Sequence, residues 1–123
     1  MQASTDPALH EWWVICLCAE WCGTCREWRD PFAQAAAAHP DLRFGWVDVE
    51  DEAAAMGDVD IETFPTLLVA SGGRPLFFGP ILPSGPQLSR LLASLRQDGA
   101  APSGVTPETS ALLARLSAVL LNS

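Results

Sequence analysis

Two cysteines stand two residues apart in the segment A-E-W-C-G-T-C at positions 19–25. A C-x-x-C pair can exchange disulfides, can supply half of a zinc site, or can consist of two structural thiols. Two further cysteines, Cys16 and Cys18, lie just upstream and could take part in any of these three roles. The choice among them depends on the elements that position the pair.

The C-x-x-C pair lies between a predicted strand and a predicted helix. The residues W-V-I-C-L-C-A at 13–19 are continuously apolar and rich in strand formers, which predicts a central strand covered on both faces. The segment from Cys22 to His39-Pro40 predicts a helix that Pro31 should kink. Cys22 then lies where free backbone N–H groups and the helix dipole stabilise a thiolate. Cys25, one turn further on, is expected to be more buried and within disulfide reach.

The remaining elements define the fold class. Asp6-Pro7 predicts a short helix before the first strand, and acidic residues before Gly57 predict another. Strands alternating with helices predict an α/β fold, with a mostly parallel sheet and an antiparallel hairpin. The predicted elements after the first long helix are strands at 42–49, 64–70 and 75–79, and helices at 50–57, 87–95 and 106–122.

Length and composition limit the function classes. A chain of 123 residues predicts one domain, here a core at 13–96, a linker at 97–105 and an extra C-terminal helix at 106–122. The net charge is −8, with seven arginines and no lysine, which argues against binding to nucleic acid or an anionic membrane. The N-terminus lacks a signal-peptide pattern, and no apolar run approaches the ~20 residues of a membrane span. We therefore expect a cytoplasmic protein, and the apolar stripe at 112–120 favours a core-facing helix and a monomer.

The sequence gives less support to other roles of the cysteines. Zinc sites of this kind normally take two C-x-x-C knuckles from separate segments, whereas Cys16 and Cys18 share one face of a buried strand, so no metal is expected. These two residues are expected to be small core residues, with a regulatory disulfide involving Cys18 as the alternative. Their spacing argues against a bond between them. The solitary His10 and His39 are expected at the surface, as is the acidic stretch at 48–52.

The sequence W-C-G-T-C after an apolar strand, followed by F-P-T at 64–66 and a hairpin with a glycine turn, resembles the thioredoxin family over residues 13–95. The resemblance implies a three-layer thioredoxin-like fold and a thiol–disulfide oxidoreductase that reduces protein disulfides. It implies no cofactor, and recycling by an external reductase or thiol. By this resemblance Cys22 attacks, Cys25 resolves, and Pro65 is a cis proline. The implied substrate-binding residues are Trp21, Gly23, Thr24, Phe64, Pro65 and Gly79.

The sequence also departs from the family pattern. The buried aspartate and its lysine partner are replaced by Cys16 and Trp46, so proton transfer at Cys25 would need another group, such as Glu20 acting through water. Phe64 is bulkier than the usual residue. The family's first strand has no counterpart, and the helix at 106–121 is expected to cover the surface left bare. An oxidase or isomerase, and an interaction module or maturation chaperone with little redox activity, remain alternatives.

Overall fold

The computed structural model describes residues 12–97 and 100–121. The helix predicted at Asp6-Pro7 and the position of His10 lie outside these residues. The described part contains four strands and four helices in the predicted order. The strands are β1 (Trp12–Cys18), β2 (Arg43–Asp48), β3 (Thr66–Ser71) and β4 (Arg74–Pro80). The helices are α1 (Gly23–Ala38), α2 (Ala53–Met56), α3 (Gly85–Leu95) and α4 (Pro107–Leu121).

The strands form one mixed sheet in the order β2-β1-β3-β4. β1 and β2 are parallel, with Cys18 beside Asp48, whereas β3 is antiparallel to both β1 and β4. The antiparallel pairing therefore reaches the middle of the sheet rather than only its edge. The reason is that β3 begins at the edge where β2 ends, because Thr66 lies beside Leu17 in β1. A chain that enters at that edge runs back along the sheet and needs no crossover helix.

Helices cover both faces of the sheet, as a three-layer α/β fold requires. On one face α1 and α3 pack against β1 and β3 through Cys25, Trp28, Phe32, Leu88 and Leu92. On the other face α2 and α4 cover the same two strands through Met56, Leu112, Leu113 and Leu116. β1 alternates between these two layers along its length, which explains why its sequence is apolar without interruption. The predicted three-layer α/β fold is confirmed, but the expectation of a mostly parallel sheet is wrong, because β3 is antiparallel to both of its neighbours.

Helix α2 is shorter than the helix predicted at 50–57. The side chain of Asp48 accepts the backbone N–H groups of Glu50 and Asp51 at 2.8 and 3.1 Å. An aspartate that accepts these groups holds the backbone in a turn, which competes with a helix. The helix therefore begins only at Ala53 and ends at Met56, and Gly57 follows as its C-cap with a positive φ of 62°.

The segment before α4 is held against the sheet. Ser103 donates its N–H to the carbonyl of Leu76 and accepts the N–H of Phe78, both at 3.0 Å. Arg115 of α4 donates to the carbonyls of Ala55 and Met56 at the end of α2. These contacts anchor α4 to both the sheet edge and the short helix. In residues 12–97 and 100–121 no helix combines the length and the apolar character that crossing a bilayer requires.

Candidate active site

The site is built where β1 ends and α1 begins. Cys18 is the last residue of β1, and the chain turns through Ala19, whose carbonyl accepts the N–H of Cys22 at 3.0 Å. Cys22 is the N-cap residue of α1, and its carbonyl accepts the N–H of Arg26 at 3.1 Å. Its side chain makes no capping hydrogen bond, and the thiol is free and half-buried. The structure therefore places Cys22 at the helix N-terminus, as predicted.

Cys25 forms a disulfide with Cys18, seven residues upstream, at a Cα–Cα distance of 5.9 Å. Cys18 is 0% and Cys25 1% exposed. The expectation that Cys18 is only a core residue is therefore wrong, and the alternative of a disulfide involving Cys18 is the bond that the structure contains. The reason is that both residues face the same layer, Cys18 from the end of β1 and Cys25 from the buried side of the first turn of α1. The bond between Cys22 and Cys25 that the resemblance implies is not formed in this state.

Cys16 is a free thiol in the same layer. Its Sγ lies 3.8 Å from the Sγ of Cys18, and it is completely buried. Burial raises the pKa of Cys16 to about 12 and outweighs the nearby indole of Trp28, which lowers it. The Trp28 Nε1 group has no hydrogen-bond partner of conventional geometry. Cys16 therefore stays protonated near neutral pH and matches its expected role as a small core residue.

An aromatic pair lies beside Cys22. The side chain of Trp21 is 62% exposed, and its ring meets that of Phe64 edge-on with centroids 5.7 Å apart. Trp21 Nε1 also donates to Glu50 at 2.9 Å. The Phe64–Pro65 peptide bond is cis, and the Pro65 carbonyl accepts the N–H of Ile81 at 3.1 Å. The structure thus brings Phe64, the residue before the cis proline, against Trp21, the chain neighbour of Cys22.

The other predicted substrate-binding residues are more dispersed. Gly23 and Thr24 are exposed on the first turn of α1. Gly79 lies on β4 opposite Leu67 and lines a cavity of about 250 Å³ together with Thr63 and Thr66. Neither Trp21 nor Cys22 lines that cavity. Gly79 therefore adjoins the cis-proline segment rather than the cysteines.

Asp48 belongs to the site, although the sequence analysis placed it only in the acidic stretch expected at the surface and gave it no role there. Its carboxylate accepts the N–H of Glu20 at 2.9 Å in addition to those of Glu50 and Asp51. Burial pushes the pKa of Asp48 upward, but the three backbone donors outweigh it and hold the pKa below its usual value. The sequence contained one signal for this role, because Asp48 lies at the carboxyl end of the strand next to β1. The carboxyl ends of neighbouring parallel strands lie at the same edge of a sheet, where α/β proteins place their functional sites.

A cavity of about 690 Å³ opens between this edge and the buried cysteine. It is lined by Cys25, Glu20 and Asp48, and by Trp46 with Arg29. The guanidinium of Arg29 lies 4.9 Å from the ring centre of Trp46, the residue that stands at the family's lysine position. Four carboxylates line the cavity together with Cys25, those of Glu20, Asp48, Asp51 and Glu52. A role of Glu20 in proton transfer stays a prediction.

The described residues offer no cluster of three or more histidine, cysteine or acidic side chains arranged to hold a metal ion. The sulfurs of Cys18 and Cys25 are already bonded to each other. The arrangement therefore concentrates disulfide chemistry at one helix terminus, with one accessible thiol and one buried disulfide.

Comparison with known proteins gives consistent matches. The family model described as Thioredoxin matches residues 6–78. A Streptomyces coelicolor protein named "Putative thioredoxin 2" is 35% identical over 79 residues, which cover 64% of this chain and 57% of that protein. The thioredoxin of Alicyclobacillus acidocaldarius is 31% identical over 71 residues, 57% of this chain and 63% of that protein. The chain spans 44% to 63% of the length of the curated relatives that it matches.

Solved structures have a similar fold. The oxidised mitochondrial thioredoxin 3 of Saccharomyces cerevisiae matches with a TM-score of 0.60 and 23% identity, over 68% of this chain and 78% of that chain. The Fasciola hepatica thioredoxin matches with a TM-score of 0.59 and 24% identity, over 72% of this chain and 84% of that chain. At these identities the likeness establishes the fold alone.

Proposed function

Because this chain belongs to the thioredoxin family, we propose that it is a thiol–disulfide oxidoreductase that reduces protein disulfides through Cys22 and Cys25. The observation that carries the proposal is the position of Cys22. It is a free, half-buried thiol at the N-cap of a sixteen-residue helix and follows Trp21, whose ring packs on Phe64 of the cis Phe64–Pro65 bond. Backbone N–H groups and the helix dipole at such a position favour the thiolate, which is the nucleophile in disulfide exchange.

The reaction proceeds in two exchanges from the fully reduced protein. The Cys22 thiolate attacks one sulfur of the substrate disulfide, forms a mixed disulfide and releases the other substrate sulfur as a thiolate. The Cys25 thiolate then attacks Cys22 Sγ, releases the second substrate sulfur and leaves a Cys22–Cys25 bond. Two electrons pass from the protein to the substrate, so an external reductase or small thiol must restore the dithiol.

The substrate surface follows from the residues around Cys22. We propose that an extended substrate segment lies along the cis-proline loop, flanked by the exposed face of Trp21 and by Phe64. The neighbouring carboxylates of Glu20 and Glu50, and the net charge of −8, favour neutral or basic segments around the substrate disulfide. We also propose that the protein acts as a monomer in the cytoplasm, where reducing partners are available. The proposed substrate-binding residues are Trp21, Gly23, Thr24, Phe64, Pro65 and Gly79.

Turnover of a model protein disulfide tests the proposal. Insulin reduction with dithiothreitol as the electron donor is compared for the wild type, Cys22→Ser and Cys16→Ala. Cys22→Ser removes the nucleophile and should lower the protein-dependent rate at least about a hundredfold. Cys16→Ala removes a buried thiol outside the exchange and should keep a rate close to that of the wild type. An absence of turnover in the wild type would contradict an oxidoreductase and favour an interaction module. Full turnover in Cys22→Ser would contradict the role of Cys22 as the nucleophile.

A further inference from the structure

We propose that Cys18 is a third redox-active cysteine, which takes Cys25 from the Cys22–Cys25 disulfide into a buried Cys18–Cys25 bond and returns Cys22 as a free thiol. The inference rests on the proposed function, because that function generates the Cys22–Cys25 bond. It adds an internal exchange step and a second oxidised state of the same site.

The placement of the three sulfurs supports this step. Cys25 stands in the first turn of α1, between the N-cap residue Cys22 and the end of β1 at Cys18. The Cα atoms of Cys18 and Cys25 are 5.9 Å apart, within the range of disulfide-bonded cysteines. Cys25 therefore has a possible partner on each side, and it can hold only one of them at a time.

Burial determines the route by which the bond forms. Cys18 is 0% and Cys25 1% exposed, so a dissolved oxidant or a substrate disulfide reaches either sulfur far less readily than it reaches Cys22, although Cys25 forms part of the wall of the cavity of about 690 Å³. Cys22 is the half-buried thiol of the three and stands next to them in the fold. Oxidation of the protein therefore begins at Cys22, which forms a disulfide with Cys25. Intramolecular exchange then gives the Cys18–Cys25 bond.

The step is balanced without any further reactant. Cys18 releases its thiol proton to solvent, its sulfur attacks Cys25 Sγ, the Cys22–Cys25 bond breaks, and the Cys18–Cys25 bond forms. The electron pair of the broken bond leaves on Cys22 Sγ, which takes up a proton from solvent. The number of disulfides and the number of thiols are unchanged. Cys22 is a suitable leaving group because its thiolate lies at the helix N-terminus.

The exchange changes what the oxidised protein can do. A protein with a Cys18–Cys25 bond still has the Cys22 nucleophile but lacks the resolving thiol. Its attack on a substrate disulfide stops at the mixed disulfide, so the site captures the substrate instead of turning it over. Reduction runs backwards: Cys22 attacks Cys25 Sγ, the Cys22–Cys25 bond re-forms, and an external thiol then reduces it at Cys22.

Cys16 provides a matched control. It lies on the same strand and the same face as Cys18, with the two sulfurs 3.8 Å apart, and it is equally buried. It is a free thiol in the structure, and burial raises its pKa to about 12. A substitution at Cys16 therefore removes a sulfur from the same layer without removing the proposed partner of Cys25.

Peptide mapping distinguishes the two oxidised states. The reduced full-length protein is oxidised with an equimolar amount of diamide, quenched in acid, alkylated and cleaved after glutamates. Cleavage after Glu11, Glu20 and Glu27 places Cys16 and Cys18 in peptide 12–20, and Cys22 and Cys25 in peptide 21–27. A Cys18–Cys25 bond joins the two peptides, whereas a Cys22–Cys25 bond closes a loop within peptide 21–27.

We expect the joined peptides, with Cys22 alkylated, in the wild type and in Cys16→Ala. We expect only the looped peptide 21–27 in Cys18→Ala. A looped peptide as the sole oxidised product of the wild type would overturn the inference. Loss of the joined peptides in Cys16→Ala would overturn it as well, because Cys16 would then be the partner of Cys25.

The kinetics of oxidation test the route through Cys22. In Cys22→Ser the buried Cys18–Cys25 bond should form in diamide at least about tenfold more slowly than in the wild type, because the entry thiol is missing. Equal rates would overturn the internal exchange. Insulin turnover separates the two proposals. If the wild type turns over insulin but yields only the looped peptide, this inference is wrong and the proposed reductase activity stands. If the wild type yields the joined peptides but does not turn over insulin, the proposed reductase activity is wrong and this inference stands.

Discussion

At the scale of single residues, Asp48 organises the loop that carries the reactive thiol. One carboxylate oxygen accepts the N–H of Glu20, two residues before Cys22, and the other accepts the N–H groups of Glu50 and Asp51. Glu50 in turn accepts the indole N–H of Trp21. The end of β2 thus fixes both the start of the active-site loop and its exposed aromatic side chain.

Asp48→Asn should lower stability most at neutral pH. The amide nitrogen of asparagine cannot accept a hydrogen bond, so the hydrogen bonds that one carboxylate oxygen accepts are lost. The free energy of unfolding should fall by about 1–3 kcal/mol. Because the folded-state pKa of Asp48 is lowered, its contribution is present above the unfolded-state value of about 4 and disappears as the pH falls through that value and the folded pKa. The difference in urea-unfolding free energy between the wild type and Asp48→Asn should therefore shrink as the pH falls from about 6 to about 3.

Asp51→Asn is the control for this experiment, because it removes a neighbouring exposed carboxylate while the backbone N–H that Asp48 accepts remains. Its unfolding free energy should stay close to that of the wild type at neutral pH. A difference between the wild type and Asp48→Asn that is independent of pH would contradict the role of the charged carboxylate.

The sequence predicted individual site residues where a local rule applied. The N-cap position of Cys22 follows from an apolar strand that gives way to a helix, and the structure contains it. The partner of Cys25 did not follow from such a rule. In the sequence, Cys18 cannot be told from the other apolar residues of a buried strand. Its distance from Cys25 depends on how closely α1 packs on β1, which local sequence signals do not determine.

At the scale of elements, the segment between α3 and α4 contributes to the sheet. Ser103 exchanges two backbone hydrogen bonds with the Leu76–Phe78 part of β4. Gly104 follows with a φ of +74°, and a Cβ atom at this position would overlap the carbonyl oxygen of Phe78. The chain can approach β4 this closely only because residue 104 is a glycine.

Gly104→Ala should therefore be more harmful than an ordinary alanine substitution at a positive φ. Gly73, in the hairpin turn, has a φ of +84°, and a Cβ atom there would contact nothing. We expect Gly73→Ala to cost about 1 kcal/mol from backbone conformation alone, and Gly104→Ala about 2–4 kcal/mol because the Ser103 hydrogen bonds are also disrupted. The measurement is urea unfolding of both variants. Equal losses in the two variants would show that the contact with β4 contributes nothing.

The sequence predicted the order of the described elements but not every contact between them. Periodicity and turn residues located the helices and strands, because those signals are local. The antiparallel direction of β3 beside β1 and the pairing of Ser103 with β4 involve residues far apart in the chain. The division into a core, a linker and an extra helix remains a prediction, although Ser103 holds part of that linker to the sheet.

At the scale of the whole molecule, the sheet separates two apolar layers, of which only one contains cysteines. The layer under α1 and α3 contains Cys16, Cys18 and Cys25 and supports the redox site. The opposite layer contains none of the cysteines and is closed by α4 over Ile15, Leu17 and Leu68. The C-terminal helix therefore covers one face of the central strands. That it makes up for a missing first strand stays a prediction.

Substitutions in α4 should separate stability from redox chemistry. Leu116 is 0% exposed in the layer under α4, whereas Leu121 at the end of the same helix is 51% exposed. Leu116→Ala should lower the unfolding free energy by about 2–5 kcal/mol, because it leaves a cavity in a packed layer. Leu121→Ala, the matched control, should change it by less than about 0.5 kcal/mol.

Because Leu116 lies on the opposite side of the sheet from Cys18 and Cys25, both leucine variants should keep the wild-type rate of Cys22 alkylation under native conditions. The rate is measured with iodoacetamide on the reduced protein, and the stability by urea unfolding. An unchanged stability in Leu116→Ala would refute the structural role of α4. An altered alkylation rate in a fully folded Leu116→Ala would show instead that the two layers are coupled through β1, whose residues alternate between them.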